Sequence, residues 1–140
     1  MIHVEVIDMK YRAHIAGAVV SGCGVIYLCN QMEISTNLLN IIGGAAIGGL
    51  IPDIDHPKSF LGRAIQPIST ILMATIGHRT LTHSLLFLFL ISFVASMFNI
   101  MLGFGLGIGI LSHIVLDLLT PKTNGVAFLY PFYKRKIKLL

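Results

Sequence analysis

Apolar and polar positions fall along this chain in blocks. Residues 13–29 form a first apolar run free of Asp, Glu, Lys and Arg. Residues 38–51 form a second, shorter and rich in glycine, 81–98 a third and 100–120 a fourth. Apolar blocks of about 14 to 20 residues divided by short polar breaks are the pattern of membrane-spanning helices. The predicted fold is an all-α integral membrane protein with about four transmembrane helices.

The breaks carry matching signals. Ser35, Thr36 and Asn37 offer a cap for the second helix, Pro52 stops it, Asn99 marks a tight turn and Pro121 ends the fourth helix. Residues 60–77 are apolar but contain Arg63, Gln66 and Pro67, which predicts an interfacial or re-entrant helix rather than a span. Residues 1–12 read as a polar leader. Its Ile2, Val4 and Val6 alternate with His3 and Glu5, as in a short extended segment. Gly44 and Gly48 are spaced for close helix packing, and Gly103, Gly105, Gly107 and Gly109 line the fourth helix. These glycine faces would serve contacts within one chain or within a homo-oligomer. Phe128, Tyr130, Phe132 and Tyr133 suit a membrane interface.

Composition supports this reading. The chain has 140 residues, 55% of them hydrophobic and only 11% charged. That is far below the charge of a soluble domain, and the length holds a single domain, residues 1–140. The net charge of +4 is concentrated near the ends, with Lys10 and Arg12 before the first run and a basic tail over residues 134–140. Basic flanks favour the cytoplasmic side, which places both termini there. No soluble module presents the charge to nucleic acid. Cys23 and Cys29 lie in the first run, off a common helix face, and read as small apolar residues. Val20-Ser21-Gly22-Cys23 imitates a lipoprotein cleavage box, but the apolar stretch before it is short and cleavage would remove His14.

Three of the six acidic residues, Asp53, Asp55 and Asp117, sit within or at the ends of apolar stretches, as do His14, His78, His83 and His113. Carboxylates and imidazoles are costly in hydrocarbon unless something pairs with them. Divalent metal ions bind both groups. His113 and Asp117 are four residues apart and share a helix face. With the N-terminus in the cytoplasm and residues 60–77 not crossing, all seven candidates reach the same membrane face. Seven N/O donors exceed one tetrahedral site and suggest two metals, zinc first, with manganese or iron as alternatives. Thr82 and Ser84 are candidate caps or supports for the ligands, and His56 a support or extra ligand. His3 is incidental. Lys58, Arg63, Arg79 and Lys122 lie beside the breaks, where snorkelling to headgroups explains them. Arg79, between two histidines, is the candidate anion clamp.

The motifs Pro52-Asp53-Ile54-Asp55-His56-Pro57, His78-Arg79-Thr80-Leu81-Thr82-His83-Ser84 and Ser112-His113-Ile114-Val115-Leu116-Asp117 followed by Thr120-Pro121 resemble the YdjM-type family of membrane-bound, metal-dependent hydrolases. Members are LexA-regulated in some bacteria. Arg12-Ala13-His14 resembles the family's N-terminal histidine motif, so the likeness runs from residue 12 to about 131. Thr80 stands where glycine is expected in many relatives, and Asn124-Gly125 follows the Thr-Pro motif at an offset. More distantly, the His and Asp set is similar to that of zinc-dependent phospholipase C and related nucleases.

The resemblance implies a hydrolase of the bacterial or archaeal inner membrane. A site at the cytoplasmic face, floored by apolar helices, suits a phosphoester-containing lipid or amphiphile among the membrane lipids. The expected ligands are His14, Asp53, Asp55, His78, His83, His113 and Asp117, and the residues expected at the reaction are Arg79, Asp55 and His83. The alternatives are a metal-ion carrier or sensor, or a structural membrane protein stapled by metal. HExxH and GxSxG are absent, which argues against a zincin protease and a serine-hydrolase elbow.

Overall fold

Helix α1 spans Ile2–Gln31 in the computed structural model, which describes residues 2–121 and 123–139, residues 2–10 by backbone alone. His3 and Lys122 therefore lie outside the described side chains. The leader is helical, not extended. Residues 2–12 contain no Gly or Pro, and lengthening an existing helix adds one hydrogen bond per residue fixed, whereas a lone extended strand gains none.

Helix α2, Leu38–Gly48, begins at Asn37, whose side chain accepts from the Asn40 N–H at 3.0 Å. It ends three residues before the expected point. Pro52 has no N–H and disfavours helical backbone in the residue before it. The chain tightens into a 3-10 turn over Ile51–Asp55 that carries both carboxylates.

Residues 60–77 form two short helices, α3 (Phe60–Ala64) and α4 (Gln66–Thr75), with Pro67 in the first turn of α4. At about 1.5 Å per residue, neither approaches the roughly 30 Å of a hydrocarbon core. A second 3-10 turn, Leu81–His83, leads into α5, Leu85–Phe98, which Ser84 caps by accepting from the Phe87 N–H. Its 14 residues make α5 shorter than expected for a span. Among the described residues, three segments are long and apolar enough to cross: Tyr11–Gln31, Leu38–Asp55 and Ile100–Leu119.

Helix α6, Ile100–Leu119, is central, with α1, α2 and α5 packed around it. The contact with α2 depends on glycine. A Cβ on Gly109 would run into the Ala45 carbonyl, and one on Gly48 into the Leu106 carbonyl. Leu88, Ile110, Ile114 and Val126 form the buried apolar core, while Leu39, Phe89, Phe93 and Met97 point outward. Large apolar side chains on the outside suit lipid as solvent.

The basic tail is docked rather than free. Val126 and Ile137 exchange two backbone hydrogen bonds, both 2.9 Å, and Lys136 Nζ donates to the His78 carbonyl at 2.8 Å. The Ala127 N–H donates to the Arg79 carbonyl at 3.0 Å.

Candidate metal centre

Four elements and one loop deliver the seven predicted ligands to one end of the helices. Helix α1 supplies His14, the first 3-10 turn Asp53 and Asp55, and α6 supplies His113 and Asp117. His83 closes the second 3-10 turn, and His78 lies in the loop before it. His14, Asp55, His83, His113 and Asp117 are buried; Asp53 and His78 are partly open.

The hydrogen bonds of the histidines fix which nitrogen faces inward. His113 Nδ1 lies 2.6 Å from the Gly49 carbonyl, which can only accept. Nδ1 therefore carries the proton, and a neutral ring leaves Nε2 with a lone pair. Nε2 of His113 and of His83 are both buried without a hydrogen-bond partner among the described residues. His113 Nε2 faces Asp53 Oδ1 at 3.6 Å and Asp117 Oδ2 at 3.7 Å. His83 Nε2 faces the same two oxygens at 3.9 and 3.3 Å. Three of the four separations exceed a hydrogen bond; the fourth, 3.3 Å, falls in the range of two donors on one ion, and the others lie a few tenths of an ångström beyond it. Two donors about 2.1 Å from one metal stand about 3.0 Å apart at a right angle and about 3.4 Å apart in a tetrahedron.

His14 completes this wall. Its ring stacks on His113 with centroids 3.7 Å apart, and its Nε2 lies 3.7 Å from Asp117 Oδ1. Two adjacent triads have donor atoms close enough to hold an ion: His14, His113 and Asp117, and Asp53, His78 and His83.

Asp55 belongs to neither triad. Its Oδ1 lies 2.6 Å from His78 Nδ1, and its Oδ2 accepts from Thr82 Oγ1 and, at 3.1 Å, from the Arg79 N–H. A carboxylate on the outer nitrogen of a histidine fixes the tautomer and makes the inner nitrogen a better ligand. Asp55 thus orients His78 in this structure. Thr82 joins the same network, through Asp55 and through His83 Nδ1 at 3.0 Å, and Ser84 acts as a cap.

Arg79 is engaged inside the cluster. Nε donates to Asp117 Oδ2 at 2.7 Å and Nη2 to Oδ1 at 3.2 Å, a two-bond fork. Its backbone is left-handed at φ 60°, next but one to Gly77 at φ 86°. Such a conformation is uncommon for a residue with a Cβ and persists where surroundings enforce it. Here the enforcing contacts are the Asp55, Asp117 and Ala127 hydrogen bonds.

Charge is unbalanced at this end. Of Asp53, Asp55 and Asp117, the Arg79 guanidinium is paired with Asp117. Burial lowers the basicity of His83, but Asp117 and Asp55 outweigh it and raise its pKa to about 9. Without a cation, a proton on His83 takes part of that role. His56 is half-buried beside His78, and burial followed by that neighbour lowers its pKa. Its Nδ1 accepts from the Lys58 N–H at 3.1 Å. Arg63 Nε reaches the Ser59 carbonyl at 3.4 Å, away from the ligands.

Two contributors left no trace in residue spacing. The Gly49 carbonyl and the Lys136 ammonium act on residues 64 and 58 positions away. Backbone acceptors and tail contacts become visible only in three dimensions.

Residues 9–140 match the YdjM inner membrane protein family. The uncharacterized protein YvsG of Bacillus subtilis (strain 168) is 34% identical over 125 residues, 88% of this chain and 74% of that protein. The inner membrane protein YdjM of Escherichia coli (strain K12) is 41% identical over 101 residues, 66% of this chain and 50% of that protein. The YdjM protein of Shigella flexneri is similar to the same extent. The chain thus spans about half the length of these YdjM relatives. No solved structure matches.

Proposed function

The chain belongs to the YdjM inner membrane protein family, and we propose that within it the chain acts as a metal-dependent hydrolase of a phosphoester-containing lipid or amphiphile. One observation carries the reading. Two buried Nε2 atoms, on His83 and His113, face the carboxylates of Asp53 and Asp117 with no hydrogen-bond partner among the described residues. Neutral rings facing carboxylates this way repel unless a cation lies between them, and a metal ion bound there would replace the proton that His83 otherwise holds.

The two triads would hold two divalent ions, zinc first, since imidazole and carboxylate donors suit it. Bound there, such ions would lower the pKa of a water and neutralise charge on phosphoryl oxygens. The remaining work falls to the chain itself. Asp55 holds His78 in one tautomer, the Gly49 carbonyl does the same for His113, and Arg79 fixes both oxygens of Asp117. Apolar helices flank the cluster, while Asp53 and His78 stay partly open to the cavity. The basic flanks at this end favour the cytoplasmic face.

Elemental analysis of detergent-purified protein tests the reading, with wild type beside His113→Ala and His83→Ala, one variant from each triad. About two ions per chain, reduced in both variants, support it. No metal in wild type, even after zinc or manganese is resupplied, overturns it. Metal without turnover of any phosphoester leaves the structural staple, and uptake into proteoliposomes identifies a carrier.

A further inference from the structure

Above the triads lies an open cavity of about 130 Å³. His14 and Asp53 lie at its metal-facing side, Tyr11 and Phe60 form a wall, and Lys58 and Arg79 are its permanent cations. Of these two, Arg79 gives Nε and Nη2 to Asp117. The exposed Lys58 ammonium has no ion pair or hydrogen bond among the described residues.

The position of Lys58 is nevertheless built. Its N–H is held by His56 Nδ1. The next residue, Ser59, donates Oγ to the Asp53 carbonyl at 2.7 Å while accepting from the Gly62 N–H at 2.9 Å. One short loop thereby ties the free cation to a candidate ligand. Tyr11 and Phe60 stack with centroids 5.1 Å apart. Tyr11 lies between Lys10 and Arg12, just before the apolar run of residues 13–29, and Phe60 is exposed, so the wall stands at the depth where aromatic rings meet headgroups.

We propose that this cavity is a headgroup seat, in which Lys58 binds the phosphate of a lipid-borne phosphomonoester and the Tyr11–Phe60 stack forms the membrane-side wall. The inference rests on the hydrolase reading and narrows its substrate. The volume is well below the roughly 300 Å³ at which pockets begin to enclose a whole drug-sized ligand. A small headgroup fits and the tail stays in the bilayer. An ammonium on a flexible stem suits an anion that arrives from the interface, and the fork of Arg79 stays with Asp117.

The test is 31P NMR on the zinc-treated full chain in phosphatidylcholine nanodiscs with and without phosphatidic acid, and separately with inorganic phosphate. The proteins are wild type, Lys58→Gln and Lys58→Arg, with zinc content measured on each. The expected result is a perturbed phosphatidic acid resonance in wild type, an affinity about tenfold lower in Lys58→Gln, and recovery in Lys58→Arg. Zinc content stays equal in all three. Wild-type binding by Lys58→Gln overturns the seat, as does a zinc-loaded wild type that leaves phosphatidic acid unperturbed. A response to inorganic phosphate alone overturns the lipid assignment. Absence of zinc from wild type defeats the hydrolase reading instead, and the Lys58 comparison in that metal-free protein still decides the seat.

Discussion

Arg79 and Asp117 form a two-bond ion pair, Nε to Oδ2 at 2.7 Å and Nη2 to Oδ1 at 3.2 Å, across 38 residues of sequence. Both side chains are largely buried. Removing the guanidinium leaves a buried carboxylate without its partner. Arg79→Ala should lose about 3 kcal/mol of stability in metal-free protein. Arg79→Lys should recover only part, because an ammonium cannot make the fork. Thermal unfolding in detergent, with and without zinc, measures this. Added zinc should narrow the deficit, since a cation near Asp117 replaces the lost charge.

Asp55 and His113 should behave differently when altered. His113 presents Nε2 to the candidate ion, whereas Asp55 acts on His78 from behind. His113→Ala should abolish metal retention at the His14–His113–Asp117 triad. Asp55→Asn should keep metal but weaken it about 10- to 100-fold, the usual loss for a group supporting a ligand. Zinc competition with a chromophoric chelator separates the two outcomes. Equal loss in both variants would place Asp55 directly on the metal.

Metal binding should strengthen with pH. His83 in the metal-free fold has a pKa raised to about 9, so at neutral pH its ring is protonated and that proton must leave before metal binds. Apparent affinity should rise about tenfold per pH unit for this one proton and level off above pH 9. The metal-free fold shows the opposite sign. The raised pKa stabilises it fully below the unfolded value of 6.5, and that contribution is lost as pH climbs through 9. Zinc titrations and urea unfolding across this range check both slopes.

Gly109→Val should damage the centre from outside it. A Cβ at this position meets the Ala45 carbonyl, so α2 must move away from α6. The same contact holds the Gly49 carbonyl against His113. A loss of about 1–3 kcal/mol from overpacking should come with reduced zinc content. Valine at Gly24, where a Cβ has no neighbour, should leave zinc content unchanged.

Removal of residues 134–140 should loosen the Gly77–Thr80 loop. The tail supplies the Ile137 bridge to Val126 and the Lys136 bond to the His78 carbonyl. Trypsin should then cut after Arg79 faster than in the intact chain. Gel analysis of a digestion time course reads it, with cleavage after Arg63 as the internal control.

Much of the fold was legible because lipid and backbone impose simple rules. Apolar runs had to be helices, since no water is present to satisfy free N–H and C=O groups. Pro52, Asn37 and Asn99 marked helix ends through local chemistry alone. The boundaries that shifted lie at the start of α1, which runs on through the leader, and at α2 and α5, where 3-10 turns replace the helix ends. Those turns place Asp53, Asp55 and His83, and hydropathy does not distinguish them from helix.

The sequence alone determined the membrane class, the close-packed glycine face of α2 and the seven His and Asp candidates, because burying such groups in an apolar chain has few explanations. Only the tertiary structure divided them into two triads and an outer carboxylate. It turned Arg79 onto Asp117, left the Lys58 ammonium without a partner among the described residues at the cavity, and folded the basic tail onto the His78 loop. The reason is directional. Composition says that a polar group needs a partner, but distance and lone-pair direction, fixed by contacts far apart in sequence, decide which partner it has.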